Sequence, residues 1–179
     1  MPPAPSSARA LQAILPQIAD NKPYEAHQKA RTFVSRYVKS GQHDVAIDVL
    51  FQSARELLKA GHTGSGVDLG SFLIDVYDTA NIEVGPESRG RMTQLIALTG
   101  PEGAWRKTLT DKTVAWSAKH GKYPAGDPEL HHYCGELLYR GRLRTESQYP
   151  PTNMIGQRAH LRPQNSIYLT PRPGIPHDY

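Results

Sequence analysis

The chain has 179 residues, of which 38% are hydrophobic and 21% charged, with a net charge of +4 and a single cysteine, Cys134. That length suits one domain, or one domain with an appendage, and no run of about 18 apolar residues offers a membrane-spanning helix. One cysteine excludes an internal disulfide, and the opening MPPAPSSARALQAILPQIAD is unlike a signal or transit peptide, so a reducing, cytosolic setting is the expectation.

Helical punctuation starts early. Residues 1–7 read as a disordered start, and Ala8 to Asp20 then places Leu11, Ile14, Leu15 and Ile18 on one face, with Pro16 as a kink or break. The stretch YEAHQKARTFVSRYVKSG puts Ala26, Ala30, Phe33, Val34, Tyr37 and Val38 at helical spacing and ends at Ser40-Gly41. Its other face carries Arg31, Arg36 and a polar stripe of Gln28, Thr32, Ser35 and Lys39, which as it stands is solvated surface or a recognition surface. A third helix over His43 to Ala60 buries Val45, Ala46, Val49, Leu50, Ala54, Leu57 and Leu58. A fourth begins at Ser65 and fades near Ala80. Pro86 opens a fifth through Leu98, Pro101 a sixth through Trp116, and Asp127-Pro128 a seventh from Glu129 to Tyr139. No strand pattern interrupts the series.

Seven helices, each apolar along one stripe, must stack on one another, so residues 8–139 are expected to form an all-α solenoid. No motif repeats at a fixed period, so the solenoid is read as irregular. From Arg140 onward the composition changes: six Arg, no Lys, two acids and six Pro. Removing those charges from the 21 basic and 17 acidic residues leaves 15 of each before it, so the excess positive charge lies wholly in the tail. Residues 140–179 are accordingly expected to be disordered. Six Arg over that length allow weak, salt-sensitive RNA contacts, though without the interleaved aromatics of a specific nucleic-acid binder.

Catalytic signals are thin. In LHHYCGE, His131 and Cys134 share a helical face, but two soft ligands do not complete a tetrahedral metal site and no base is placed to activate the thiol. TGSGVDLG lacks the spacing of a phosphate loop and reads as a turn with Ser65 capping a helix and Asp68 three residues on. No enzyme, metal or cofactor is expected.

The motifs YEAHQ, RY, GSG-x-DL and DPxLH, in that order over Leu11 to Tyr139, resemble the Golgi-to-ER traffic protein four family, scaffolds of the guided-entry pathway for tail-anchored membrane proteins. The resemblance implies a right-handed, tetratricopeptide-like α-solenoid that is not an enzyme. It implies an N-terminal half docking on the pathway's targeting ATPase and a C-terminal half clasping a ubiquitin-like adaptor. By the same resemblance the ATPase-facing residues are Gln28, Lys39 and Asp68, with His27, Arg31 and Arg36 beside them. Lys39 stands where some relatives are expected to have Arg, which keeps the charge and loses the planar fork. After Tyr139 the resemblance calls for further helices that the Arg- and Pro-rich tail does not supply, so the adaptor is not expected to bind this chain. An alternative isoform and a misread gene are both open explanations of the tail. Loss of those helices would expose apolar surface around Leu130, Leu137 and Leu138.

Overall fold

The computed structural model describes residues 7–100 and 103–148, with side chains described as far as Gly141. These residues contain seven α-helices and no strand: α1 (Ala8–Ala19), α2 (Pro23–Lys39), α3 (His43–Lys59), α4 (Thr63–Thr79), α5 (Pro86–Leu98), α6 (Ala104–His120) and α7 (Pro128–Gln148).

The first four helices end in the same way. Asn21, Gly41, Gly61 and Asn81 each take a positive φ, of 56°, 72°, 83° and 51°. At the close of α2, Gly41 N–H donates to Val38 O and Gln42 N–H to Tyr37 O; Gly61 and His62 do the same to Leu58 O and Leu57 O after α3. Asn21 with Lys22 and Asn81 with Ile82 repeat the pattern. This is the left-handed closure that satisfies the last carbonyls of a helix and turns the chain back, and it favours Gly, then Asn. The four left-handed residues lie 20 positions apart, and α2, α3 and α4 are 17 residues long each. A fixed period therefore exists, contrary to the expectation of an irregular array, but it lives in backbone conformation and not in residue identity.

A helix plus a three-residue turn reverses direction every 20 residues, so alternate helices run parallel and stack in two layers. α1, α3, α5 and α7 contact one another in sequence along one layer, α2, α4 and α6 along the other, and each helix also contacts its chain neighbours across the layers. The fold is an α-helical solenoid. α3 touches α1, α2, α4 and α5, and nine of its 17 residues are buried, including Ile47, Phe51 and Ser53 beyond its predicted stripe. α4 approaches its neighbours through glycine: a Cβ at Gly66 would lie 2.6 Å from Leu58 Cγ, and one at Gly70 would lie 3.2 Å from Leu109 Cδ1. Tyr77 and Trp116 pack against each other across α4 and α6, their rings tilted by 34° with centroids 5.1 Å apart.

Several boundaries differ from expectation. α1 runs unbroken through Pro16. α4 starts at Thr63 and makes no side-chain cap, so Ser65 and Asp68 do not form a capping box; backbone closure at Gly61 and the bond from Gly66 N–H to His62 O place the start instead. α6 begins at Ala104, after Gly103, not at Pro101, which lies outside the described residues. α7 is capped as expected, Asp127 Oδ1 accepting from Leu130 N–H at 3.0 Å, but it continues to Gln148, nine residues beyond Tyr139. No Pro occurs there before Pro150, and Arg, Leu, Glu and Gln are good helix formers that outweigh the single Gly141. The expected disorder of 1–7 and of the rest of the tail falls on residues outside the described set, apart from Ser7. Of the apolar residues expected on the surface of α7, Leu130 is buried, Leu137 packs partly against the core and Leu138 is exposed.

Candidate protein-binding face

The six residues singled out in the sequence divide into two groups on the α2–α4–α6 layer. His27, Arg31 and Asp68 come together. Asp68 projects from the second turn of α4 toward α2, where its Oδ2 accepts from Arg31 Nη1 at 2.6 Å and lies 2.7 Å from His27 Nε2. The Arg31 guanidinium also stands over the Phe72 ring, 5.3 Å from its centroid, so its planar face and its donors are both engaged. Burial works against the charge of Asp68, but the hydrogen bonds and positive charge of His27 and Arg31 outweigh it and hold the carboxyl below its ordinary range. The carboxylate is 47% exposed, so this clamp remains open to a partner.

Gln28, Arg36 and Lys39 are not drawn into it. All three are exposed, and among the described residues their side chains make no hydrogen bond or ion pair. At about 100° per residue, Gln28 and Lys39 lie roughly 60–120° around α2 from the flank that carries His27 and Arg31, and Arg36 lies roughly 140–180° from it. Lys39 is also about 12 Å along the axis from Arg31. The two cations sit in the last turn of α2, where they complement the helix dipole, and their charge is otherwise uncompensated. The arrangement is thus a neutralised clamp at mid-helix and a free positive patch at the helix end.

The same layer holds further polar ties that the sequence did not reveal. Asp78 Oδ1 accepts from Lys119 Nζ at 2.6 Å and meets His120 Nε2 at 2.6 Å, and Lys112 reaches Asp75 at 4.0 Å, so α4 supplies the acid to both flanking helices. The partners of Asp68 and Asp78 are 37 to 42 residues away in sequence, close to two helical periods. That offset is the signal that would have found them. Trp105, half exposed at the start of α6, lies over Gly64, where an added Cβ would sit 3.6 Å from its ring.

The other chemical candidates resolve into packing. His131 Nε2 donates to Ala125 O at 2.8 Å, while Cys134 is buried, and burial raises its thiol pKa against the opposing effect of the Thr110 hydrogen bond. No group of three or more His, Cys, Asp or Glu among the described residues is placed to hold a metal ion, and none of their helices is long and apolar enough to cross a membrane.

This two-layer array has counterparts. The chain is similar to the crystal structure of C. therm. Get4, with a TM-score of 0.73 and 35% identity over 79% of this chain and 46% of that one. It is 36% identical over 118 residues to Golgi to ER traffic protein 4 of Schizosaccharomyces pombe, covering 66% of this chain and 38% of the relative. The Homo sapiens homolog is 28% identical over 126 residues, 70% of this chain and 38% of the relative. The chain therefore spans under half the length of the relatives it matches. The family model described as Golgi to ER traffic protein 4 matches residues 40–150, which carries the likeness past Tyr139 to just beyond the end of α7. With the fold, the paired helices and the sequence in agreement, the chain belongs to the Golgi to ER traffic protein 4 family.

Proposed function

We propose that this chain is a non-catalytic, cytosolic scaffold in the delivery of tail-anchored proteins to the endoplasmic reticulum. Its α2–α4 face docks on the guided-entry targeting ATPase. The observation that carries the reading is the exposed charge of Arg36 and Lys39 at the C-terminal end of α2, the helix whose middle holds the half-exposed Arg31–Asp68–His27 clamp. The helix dipole stabilises these cations only modestly and leaves both without an internal ion-pair partner, and complementary charge across an interface speeds encounter and selects the partner. The clamp serves a second purpose in this reading: it fixes α2 against α4, so that the cationic end of α2 meets the ATPase in one orientation. Family membership supports the pathway; the ATPase and the residues facing it are proposed from the resemblance, with the exposed cations of α2 as support.

Lys39→Glu is the discriminating substitution, because Lys39 has no internal partner to lose. Affinity for the ATP-bound ATPase should fall about tenfold or more, equivalent to about 1.4 kcal/mol, with the largest loss at low salt and little change in the melt. Wild-type affinity in the mutant at low salt would return Lys39 to plain solvated surface. Asp68→Lys is a poorer probe: it sets a cation against Arg31 and His27 and so perturbs the clamp itself.

A further inference from the structure

Arg106, on α6, is only 6% exposed, yet among the described residues no carboxylate lies within ion-pair distance of it. Its Nε donates to Thr99 Oγ1 at a long 3.3 Å, and that hydroxyl already donates to Ile96 O at 2.7 Å. A guanidinium has five N–H donors, and a buried one is ordinarily matched by an acid. Burial here lowers its pKa, and the groups that pull the other way are the Tyr133 hydroxyl and the Cys134 thiol, not a carboxylate.

The guanidinium opens into a groove of about 580 Å³ lined by the end of α3, by Ala97, Leu98 and Gly100 at the end of α5, and by Leu137, Arg140 and Gly141 of α7. Leu58, Leu98 and Leu137 supply apolar walls. Lys59 and Arg140 stand at the rim, each beside an acid of its own helix, Glu56 at 3.0 Å and Glu136 at 3.8 Å. No described lining residue is acidic. The groove thus has one buried cation with donors to spare, two rim cations and an apolar surround.

We propose that this groove is an oxyanion-binding site, with Arg106 as the cation that grips a carboxylate or phosphate group. Thr99 orients the guanidinium through Nε, which leaves the terminal nitrogens to form the two-pronged pairing that Arg makes with planar or tetrahedral oxyanions. The apolar walls favour an anion carried on a leucine-bearing peptide over a free ion. The site lies apart from the α2–α4 face and does not depend on the ATPase reading.

The test is a titration of the full chain, followed by nitrogen–proton NMR at constant ionic strength. Its probes are inorganic phosphate, a short leucine-rich peptide with one Glu, and the same peptide with Gln in its place. Saturable shifts at the Arg106 Nε–H and the Gly100 amide are expected. Arg106→Met should weaken binding at least tenfold without lowering the melting temperature, and Arg106→Lys should retain part of it. Tighter binding of the Glu peptide than of phosphate, with none by its Gln twin, would assign the site to a peptide carboxylate; the reverse order would assign it to free phosphate. No saturable shift with any probe, or equal shifts in Arg106→Met, would overturn the proposal. So would a site that appears only in Glu102→Gln, since the chain's own carboxylate would then be the occupant.

Discussion

The close approach of α4 to α3 can be measured by adding one methyl group at Gly66. The new Cβ would sit 2.6 and 2.7 Å from Leu58 Cγ and Cδ2 and 3.2 Å from Ala54 O, where contact between carbon atoms needs roughly 3.5–4 Å. Leu58 is 4% exposed and can give way only toward the groove it lines, so either its rotamer or the helix separation must change, at a cost of about 1–3 kcal/mol. Against this, Ala is favoured over Gly inside a helix by about 1 kcal/mol. Gly66→Ala should therefore lower stability by about 1 kcal/mol, the middle of that balance. Gly90, in α5, is the control: a Cβ there meets nothing within 4 Å, so Gly90→Ala should gain about 1 kcal/mol. Urea denaturation followed by circular dichroism gives both values, and the Leu58→Ala background closes the cycle. With the leucine shortened, Gly66→Ala should turn from loss to gain, a coupling of about 2 kcal/mol. A coupling within about 0.5 kcal/mol of zero, or Gly66→Ala as favourable as Gly90→Ala, would refute the packing argument. Asp68 is two residues from Gly66, so the same displacement would spoil its reach to Arg31 and weaken ATPase binding in parallel.

Three further expectations rest on separate features. Gly61 takes φ 83° with nothing within 4 Å of an added Cβ, so Gly61→Ala should cost about 1 kcal/mol from backbone strain alone, while Asn81→Gly should gain some tenths of that; equal melts would deny the left-handed closure its role. Because the folded state holds the Asp68 carboxyl below its ordinary 3.8, its contribution is complete above that value and is lost as pH falls through the lower folded value; acid unfolding curves of wild type and Asp68→Asn should therefore converge below about pH 4, and a constant offset down to the lowest pH would contradict this. The adaptor clasp belongs, by resemblance, to a part of the family fold beyond the matched region, so the chain should not retain the N-terminal segment of the ubiquitin-like adaptor on co-purification, and a stable one-to-one complex would show otherwise.

The apolar stripes were legible because each needs only local periodicity. Ala46, Val49, Leu50, Ala54, Leu57 and Leu58 are all buried as the spacing of α3 predicts. Ile47, Phe51 and Ser53 were not, because their burial depends on how many helices surround α3, which is a property of the stack. Asp68 illustrates the same limit. Ser-x-x-Asp is a sound local cap pattern, yet the backbone closure at Gly61 decides where α4 starts, and the carboxylate is used 41 residues away against His27. The period escaped notice because Asn and Gly share a backbone region without sharing a side chain, so comparison of residue identities does not align Asn21 and Asn81 with Gly41 and Gly61. At α7, a rise in Arg does not mark the end of the helix, since Arg is a good helix former, a single Gly141 is tolerated, and the first prolines come only at Pro150 and Pro151.

The left-handed residues at 20-position intervals also set a rule for how such a chain can change length. Each interval reverses direction and moves the chain to the other layer. Insertion or loss of one unit between α4 and α6 would hand every later helix to the opposite side, so that the acids of α4 would no longer face the bases of α6. Two units together restore both direction and layer. Growth by helix pairs thus keeps every later helix in its own layer and growth by single helices does not, so evenness of helix number between two points decides whether the surfaces on either side of an insertion face the same way.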